Sequence, residues 1–261
     1  MLEAEHPLVV QIRDRRKQLK LSQEQAAQLI GVSFSTLNQW EQGRSQPNAR
    51  SRGLLMAWLE ETARKRPVLP ADATSFIGRD SELADLMALW PKCRLLTLTG
   101  AGGTGKTRLA VELLRRREEP LLSMVRLDAV SDPFLAIAEI GAGLGIRAGA
   151  DVPLIIEALR TASGVLFLDT CERVTNALRD LLRELLREAP EVRVLATSQV
   201  DIGVSGEQVW RVPGLALDEG TGGDAIELFK ARARERAANF APDDGTLRDI
   251  AQICQRLDGI P

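Results

Sequence analysis

The chain has 261 residues, of which 44% are hydrophobic and 27% charged, proportions that exclude disorder as the main state and allow two domains whose cores need no staples. No apolar run approaches the roughly 20 residues that cross a bilayer, and the acidic start Met1-Leu2-Glu3-Ala4-Glu5 lacks the basic and apolar regions of a signal peptide, so a cytoplasmic protein with no membrane partner is expected. The formal charge of -2 is uneven, +4 over residues 1–70 and -6 over 71–261, and such a basic unit on an acidic body points to a polyanion partner for the first unit, against the alternative of a solvated basic face.

Residues 8–61 read as consecutive short helices, because apolar positions recur at helical spacing: Leu8, Ile12 and Leu19; Ala26, Ala27, Leu29 and Ile30; Leu37 and Trp40; Leu54, Leu55, Trp58 and Leu59. A charged, Pro-containing stretch follows, and the boundaries are drawn as a helical domain over residues 1–62, a linker over 63–75 and a second domain over 76–261. From there strand-like runs at 94–99, 121–127, 164–168, 192–197 and 208–212 alternate with helical stretches at 81–89, 106–117, 133–144, 153–161, 175–188, 224–238 and 246–257. The expected fold is an all-α N-terminal domain plus an α/β domain with a mostly parallel five-stranded sheet.

Few residues can carry chemistry by themselves. Cys93, Cys171 and Cys254 are odd in number and far apart, which fits neither a disulfide framework nor a zinc site. The single His6 leaves no imidazole for a Ser/His/Asp triad or a histidine-bound metal. The sharpest motif is Gly100-Ala101-Gly102-Gly103-Thr104-Gly105-Lys106-Thr107, a complete G-x-x-x-x-G-K-[ST] between a strand and an amphipathic helix. Glycines at this spacing let successive backbone N–H groups turn toward one phosphate, Lys106 reaches the outer phosphates, and Thr107 offers its hydroxyl to Mg2+.

Asp169 ends the apolar run Val165-Leu166-Phe167-Leu168 and reads either as the second metal residue or as a helix cap. Glu172, three residues on, either polarises a water or caps a helix N-terminus or compensates its dipole. Lys106, Asp169 and Glu172 are therefore the candidate catalytic set, with Thr107 and Asp169 for the metal. No Asn-Lys-x-Asp element follows the loop, so adenine is the expected base and Mg2+ with ATP or ADP the expected cofactor.

Residues 76–261 resemble the NB-ARC branch of the signal-transduction P-loop ATPases called STAND proteins. Five segments carry the resemblance in order: Phe76-Ile77-Gly78-Arg79-Asp80-Ser81-Glu82-Leu83, Thr97 to Arg108, Leu166 to Val174, Val194-Leu195-Ala196-Thr197-Ser198, and Ile253 to Pro261 with Gly259-Ile260-Pro261 at its end. It implies an ADP/ATP switch with slow hydrolysis. It also implies that Ile77, Gly78 and Arg79 lie against adenine mainly through backbone groups, that Pro261 closes the other side of the base, and that Arg108 joins the nucleotide contacts of Gly100, Gly102, Gly103, Thr104, Gly105, Lys106 and Thr107. Two positions depart from the family: Thr170 stands where it has Asn, and Gln199 where it often has an Arg that senses the γ-phosphate. The family continues beyond Gly-x-Pro into a domain that covers the nucleotide, so weak binding and little or no hydrolysis are expected of these residues alone.

Residues 8–61 resemble the XRE, or Cro/C1-type, helix-turn-helix family through the run Leu21 to Arg44, which sets Ala27, Gly31, Leu37 and Trp40 at the small, turn and core positions. Ser22 is read as the cap of the first helix of the pair. Double-stranded DNA is the implied partner, with Ser33, Phe34, Ser35, Asn38 and Gln39 near the groove and Gln23, Arg44, Asn48 and Arg50 near phosphates. Phe34 either touches a thymine methyl or packs inward. Self-association on a two-part DNA site is expected, because one copy would bind weakly.

The reading these modules favour is a DNA-binding transcriptional regulator with an adenine-nucleotide switch. Its alternatives are a DNA-stimulated ATPase, or a helix-turn-helix protein carrying an inert P-loop domain.

Overall fold

A computed structural model describes residues 6–18, 21–64, 69–71, 74–146, 149–218 and 220–261. They fall into two compact units, Met1–Arg66 and Pro67–Pro261. Residues 63 and 64 of the stretch read as linker continue a helix, while residues 65–68 and 72–73 of that stretch, and Leu19 of the apolar pattern, lie outside the described residues. No helix among the described residues is long and apolar enough to cross a membrane.

Among the described residues the first unit has four helices: α1 Pro7–Gln18, α2 Gln23–Ile30, α3 Phe34–Glu41 and α4 Ala49–Arg64. Ser22 starts α2 with a reciprocal cap, its Oγ accepting from the Gln25 N–H at 3.1 Å while Gln25 Oε1 accepts from the Ser22 N–H at 2.8 Å. Gly31 ends α2 at φ 82°, a left-handed turn that a side chain would strain. Ser33 then caps α3 by accepting from the Thr36 N–H. Ile12, Ala26, Ala27, Ile30, Leu37, Trp40, Leu55 and Trp58 form the core. Leu29 and Leu54 of the expected apolar stripe face solvent instead, because Ala26, Ala27 and Ile30 already occupy the inner face of α2 and Leu55 and Trp58 that of α4.

One polar knot joins three of these helices. The Arg16 guanidinium of α1 donates twice to the Glu41 carboxylate of α3, each bond 2.9 Å, and Gln23 of α2 donates to it at 2.6 Å.

The second unit is built on β1 Leu95–Thr99, β2 Leu121–Arg126, β3 Gly164–Asp169, β4 Val192–Ser198 and β5 Glu207–Arg211, in the order β2-β3-β4-β1-β5. Every pairing is parallel, so the sheet is wholly rather than mostly parallel. The fifth strand begins and ends one residue earlier than its sequence pattern, being a half-exposed edge with little alternation to mark its register. The helices are α5 Asp80–Leu89, α6 Lys106–Arg117, α7 Pro133–Gly143, α8 Val152–Leu159, α9 Thr175–Glu188, α10 Asp224–Arg236 and α11 Asp244–Arg256, with a 3-10 turn at Trp90–Lys92.

The two-residue period of each strand sends alternate side chains to opposite faces. Val165 and Phe167 join the core beneath α5 and α6, while Leu166 and Leu168 join the one beneath α7, α8 and α9. Helices α10 and α11 pair around a small core of their own, formed by Leu215, Ala225, Ile226, Ile250 and Cys254. Because the strands are parallel and in register, Thr99 beside Ser198 and Leu168 beside Ala196, the loops after β1, β3 and β4 leave from one edge of the sheet.

The Arg16–Glu41–Gln23 knot predicts a pH dependence. Burial acts to raise the pKa of Glu41, but the hydrogen bonds from Arg16 and Gln23 and the charges of Arg16 and Arg13 outweigh it, leaving the carboxyl below its ordinary value of 4.5. A depressed folded-state pKa contributes stability that is complete above 4.5 and is lost as the pH falls through the lower folded value. Glu41→Gln should therefore lower the stability of the helical unit at pH 7 and flatten its acid limb, as followed by Trp fluorescence in denaturant titrations between pH 3 and 7.

Candidate functional site

The phosphate loop runs from the end of β1 to the start of α6. Gly105 stands at φ 83° immediately before Lys106, a conformation that lets the first turn of α6 point its N–H groups back into the loop. Gly100 and Gly103 also have positive φ, whereas Gly102 does not and has open space where a Cβ would lie. Lys106 Nζ folds over the loop and donates to the carbonyls of Gly100 at 2.9 Å and Ala101 at 2.8 Å. Burial lowers its pKa, opposed by the carboxylates of Glu172 and Asp169 nearby.

Asp169 is the last residue of β3 and only 2% exposed. Its Oδ1 accepts hydrogen bonds from the hydroxyls of Thr107 and Thr197, both at 2.6 Å, while the Arg126 Nε stands 3.9 Å from Oδ2. Thr197 Oγ1 in turn accepts from the Thr170 N–H at 2.9 Å. The cap reading of Asp169 is not what the structure shows, since the group lies within the strand and faces the loop. Thr107 and Asp169 place two hard oxygens side by side, the donor chemistry Mg2+ takes alongside phosphate and water. Among the described residues no cluster of three His, Cys, Asp or Glu offers a dedicated metal cage.

Glu172 does not cap a helix either: α9 begins at Thr175 behind Val174, with no side-chain cap bond. Its Oε1 accepts from Gln199 Nε2 at 3.3 Å, and its Oε2 is buried without a hydrogen-bond partner among the described residues. Gln199, just beyond β4, thus meets the carboxylate that the sequence offers as the water-polarising group.

Beside the loop, residues 74–79 form a strap. Gly78 and Arg79 both have φ 69°, and the Arg79 N–H donates to Asp224 Oδ2 at 3.1 Å. The Arg79 side chain does more than a backbone-only role implies. It is 4% exposed, pairs with Glu82 at 2.8 Å, and donates to the carbonyls of Thr104 at 3.1 Å and Pro213 at 2.8 Å. The strap, α6, α10 and Pro261 enclose a cavity of about 110 Å³ whose walls include Phe76, Ile77, Gly105, Arg108, Leu228 and Pro261. The structure therefore brings Ile77, Arg79, Arg108 and Pro261 together next to the loop. Sequence reasoning missed Thr197, which donates to Asp169, and Asp224 and Arg232, which bond the strap at Arg79 and Ser75; of these only Thr197, near the end of a strand beside β3, left a signal.

In the first unit Ser33, Phe34, Ser35 and Gln39 are exposed at and after the start of α3. Phe34 is 46% exposed, which removes the inward-packing alternative. Ser35 Oγ lies 2.9 Å from Ser33 Oγ, and Asn38 Oδ1 accepts from Gln42 Nε2 at 2.9 Å. Two residues read as phosphate contacts also have structural work: Gln23 donates to Glu41, and Asn48 Oδ1 accepts from the Ser51 N–H at the start of α4. Arg44 and Arg50 are exposed.

Residues 12–51 match the helix-turn-helix family model. The chain thus joins a helix-turn-helix unit to an α/β unit with a five-stranded parallel sheet. It is 37% identical over 198 residues to Uncharacterized protein Rv0894 of Mycobacterium tuberculosis, an alignment covering 72% of this chain and 48% of that one. It is 35% identical over 183 residues to Rv0890c of the same organism, named as a candidate HTH-type transcriptional regulator, covering 67% of this chain and 20% of that one. The chain therefore spans half or less of these relatives' length. Among solved structures the Walker-type ATPase PABY2304 of Pyrococcus abyssi has the same fold, with a TM-score of 0.53 at 15% identity, covering 74% of this chain and 67% of that one.

Arg44 gives the expected DNA face a direct check. Arg44→Ala should weaken binding to all duplex sequences alike and reduce the slope of log affinity against log salt by about one, as measured by fluorescence anisotropy on labelled duplex over a salt series. An unchanged slope places Arg44 outside the interface.

Proposed function

We propose that the chain is a DNA-binding transcriptional regulator whose second unit takes an adenine nucleotide with Mg2+ and acts as an ADP/ATP switch rather than a turnover enzyme. The observation that carries the nucleotide half is the junction of Thr107 and Asp169 at 2.6 Å at the foot of the phosphate loop. It brings together, from residues 62 positions apart, a hydroxyl and a carboxylate oxygen, the donor pair that supports reading a P-loop metal site here. In this reading the loop N–H groups and the α6 N-terminus hold the phosphates, and Lys106 leaves the Gly100 and Ala101 carbonyls to neutralise the outer phosphate. Asp169 and Thr107 would hold Mg2+, which would supply charge neutralisation to the phosphates.

Slow chemistry is supported by the residue after β4. Gln199 brings an amide where a cation would stabilise charge developing on the transferred phosphate, and it engages the Glu172 carboxylate as well. The DNA half is supported by the match of residues 12–51, the basic balance of the first unit and the exposed start of α3. Self-association on a two-part DNA site completes the reading, since a single helix-turn-helix reads only a half-site.

Calorimetric titration with Mg-ADP and Mg-ATP tests the nucleotide half. Both should bind, Lys106→Ala should weaken each by at least about tenfold, and steady ATP turnover should stay well below the roughly one per second at the low end of ordinary enzymes. Absence of binding to either nucleotide would favour an inert P-loop unit, and turnover near one per second would contradict the switch.

A further inference from the structure

The strap is fastened from two sides. Arg108 of α6 donates to the Thr74 carbonyl. From α10, Arg232 Nη2 donates to the Ser75 carbonyl at 2.9 Å, and Asp224 Oδ2 accepts from the Arg79 N–H at 3.1 Å. Asp224 opens α10 and Arg232 lies two turns further along it, so one helix grips the strap at both ends. Gly78 makes this possible: a Cβ there would fall 2.3 Å from Asp224 Cγ.

Between the two grips lies the cavity beside the phosphate loop. Phe76, Ile77, Leu109, Leu215, Leu228 and Pro261 give it apolar walls. The backbone N–H and C=O groups of Phe76 and Ile77 make no hydrogen bond among the described residues. Apolar walls with unpaired backbone donors and acceptors along one rim suit a flat heterocycle, which stacks by its faces and is read at its edge. The cavity also abuts the loop, since a Cβ on Gly105 would lie 4.0 Å from Pro261 Cγ. A base in the slot and phosphates in the loop thus belong to one molecule.

Helices α10 and α11 have their own small core. Removing the Asp224 or Arg232 bond would therefore loosen the strap from α10 while leaving both sheet cores intact. We propose that Asp224 and Arg232 are positioning residues for base recognition: they hold Phe76 and Ile77 at the slot, so the base-dependent share of nucleotide affinity rests on them and the phosphate-dependent share does not. This rests on the nucleotide reading above.

The test compares Mg-ADP, Mg-GDP and Mg-pyrophosphate binding by calorimetry in the unaltered chain and in Asp224→Ala, Asp224→Asn and Arg232→Ala. The two alanine variants should lose at least about tenfold in ADP affinity, equivalent to about 1.4 kcal/mol, keep pyrophosphate affinity within about twofold, and narrow the preference for ADP over GDP. Asp224→Asn retains an acceptor for the Arg79 N–H and should restore most of the ADP affinity. Equal losses for ADP and pyrophosphate, or an undiminished ADP affinity, would overturn the proposal. An unaltered chain that binds pyrophosphate no more weakly than ADP would overturn it while sparing the phosphate loop, and one that binds none of the three would overturn the nucleotide reading itself.

Discussion

The second unit is organised around one oxygen atom. Oδ1 of Asp169 accepts from Thr107, at the start of the helix that follows the phosphate loop, and from Thr197, at the end of the neighbouring strand. A buried carboxyl group is costly without such partners, and supplying them fixes β3, β4 and α6 to one another at the edge where the loops emerge. The parallel sheet delivers the three segments to that edge, and the two hydroxyls hold them there. Thr107 partners Asp169 in the structure, and in the proposed reading the same hydroxyl faces the cation.

Much of this was legible because it depends on local rules. The phosphate loop is written in glycines at fixed spacing, and two of them adopt the left-handed backbone immediately around the anion-facing turn. The helix-turn-helix is written in Ser22, Gly31 and the inward pair Leu37 and Trp40, each of which does in the structure what its position implies. What escaped was tertiary. The carbonyls that Arg79 reaches at Thr104 and Pro213 are 25 and 134 residues away, and no periodicity announces them. Gln23 and Asn48 look like free polar side chains until folding brings Glu41 to one and the start of α4 to the other. The edge strand β5 slipped by one residue because a half-exposed strand carries a weak pattern.

The two units use polar groups in different ways. In the helical unit the Arg16–Glu41–Gln23 knot stays inside the fold and sets the helix arrangement, leaving Phe34, Ser35, Gln39 and Arg44 outward. In the P-loop unit the polar groups converge on the edge of the sheet, where Lys106, Asp169, Glu172 and Gln199 surround one loop. The first pattern ties α1, α2 and α3 together from within and keeps the start of α3 exposed. The second collects charged and polar groups around the loop to which the proposed reading assigns a charged ligand.

The central claim is that the loop and the strap together form one nucleotide site. Hydrogen–deuterium exchange with and without Mg-ADP measures both segments at once. The account predicts slower exchange in residues 100–107 and in 74–79, with no comparable slowing in either segment when Lys106→Ala is treated in the same way. Unchanged exchange in both segments at saturating Mg-ADP, or protection confined to other parts of the second unit, would contradict it.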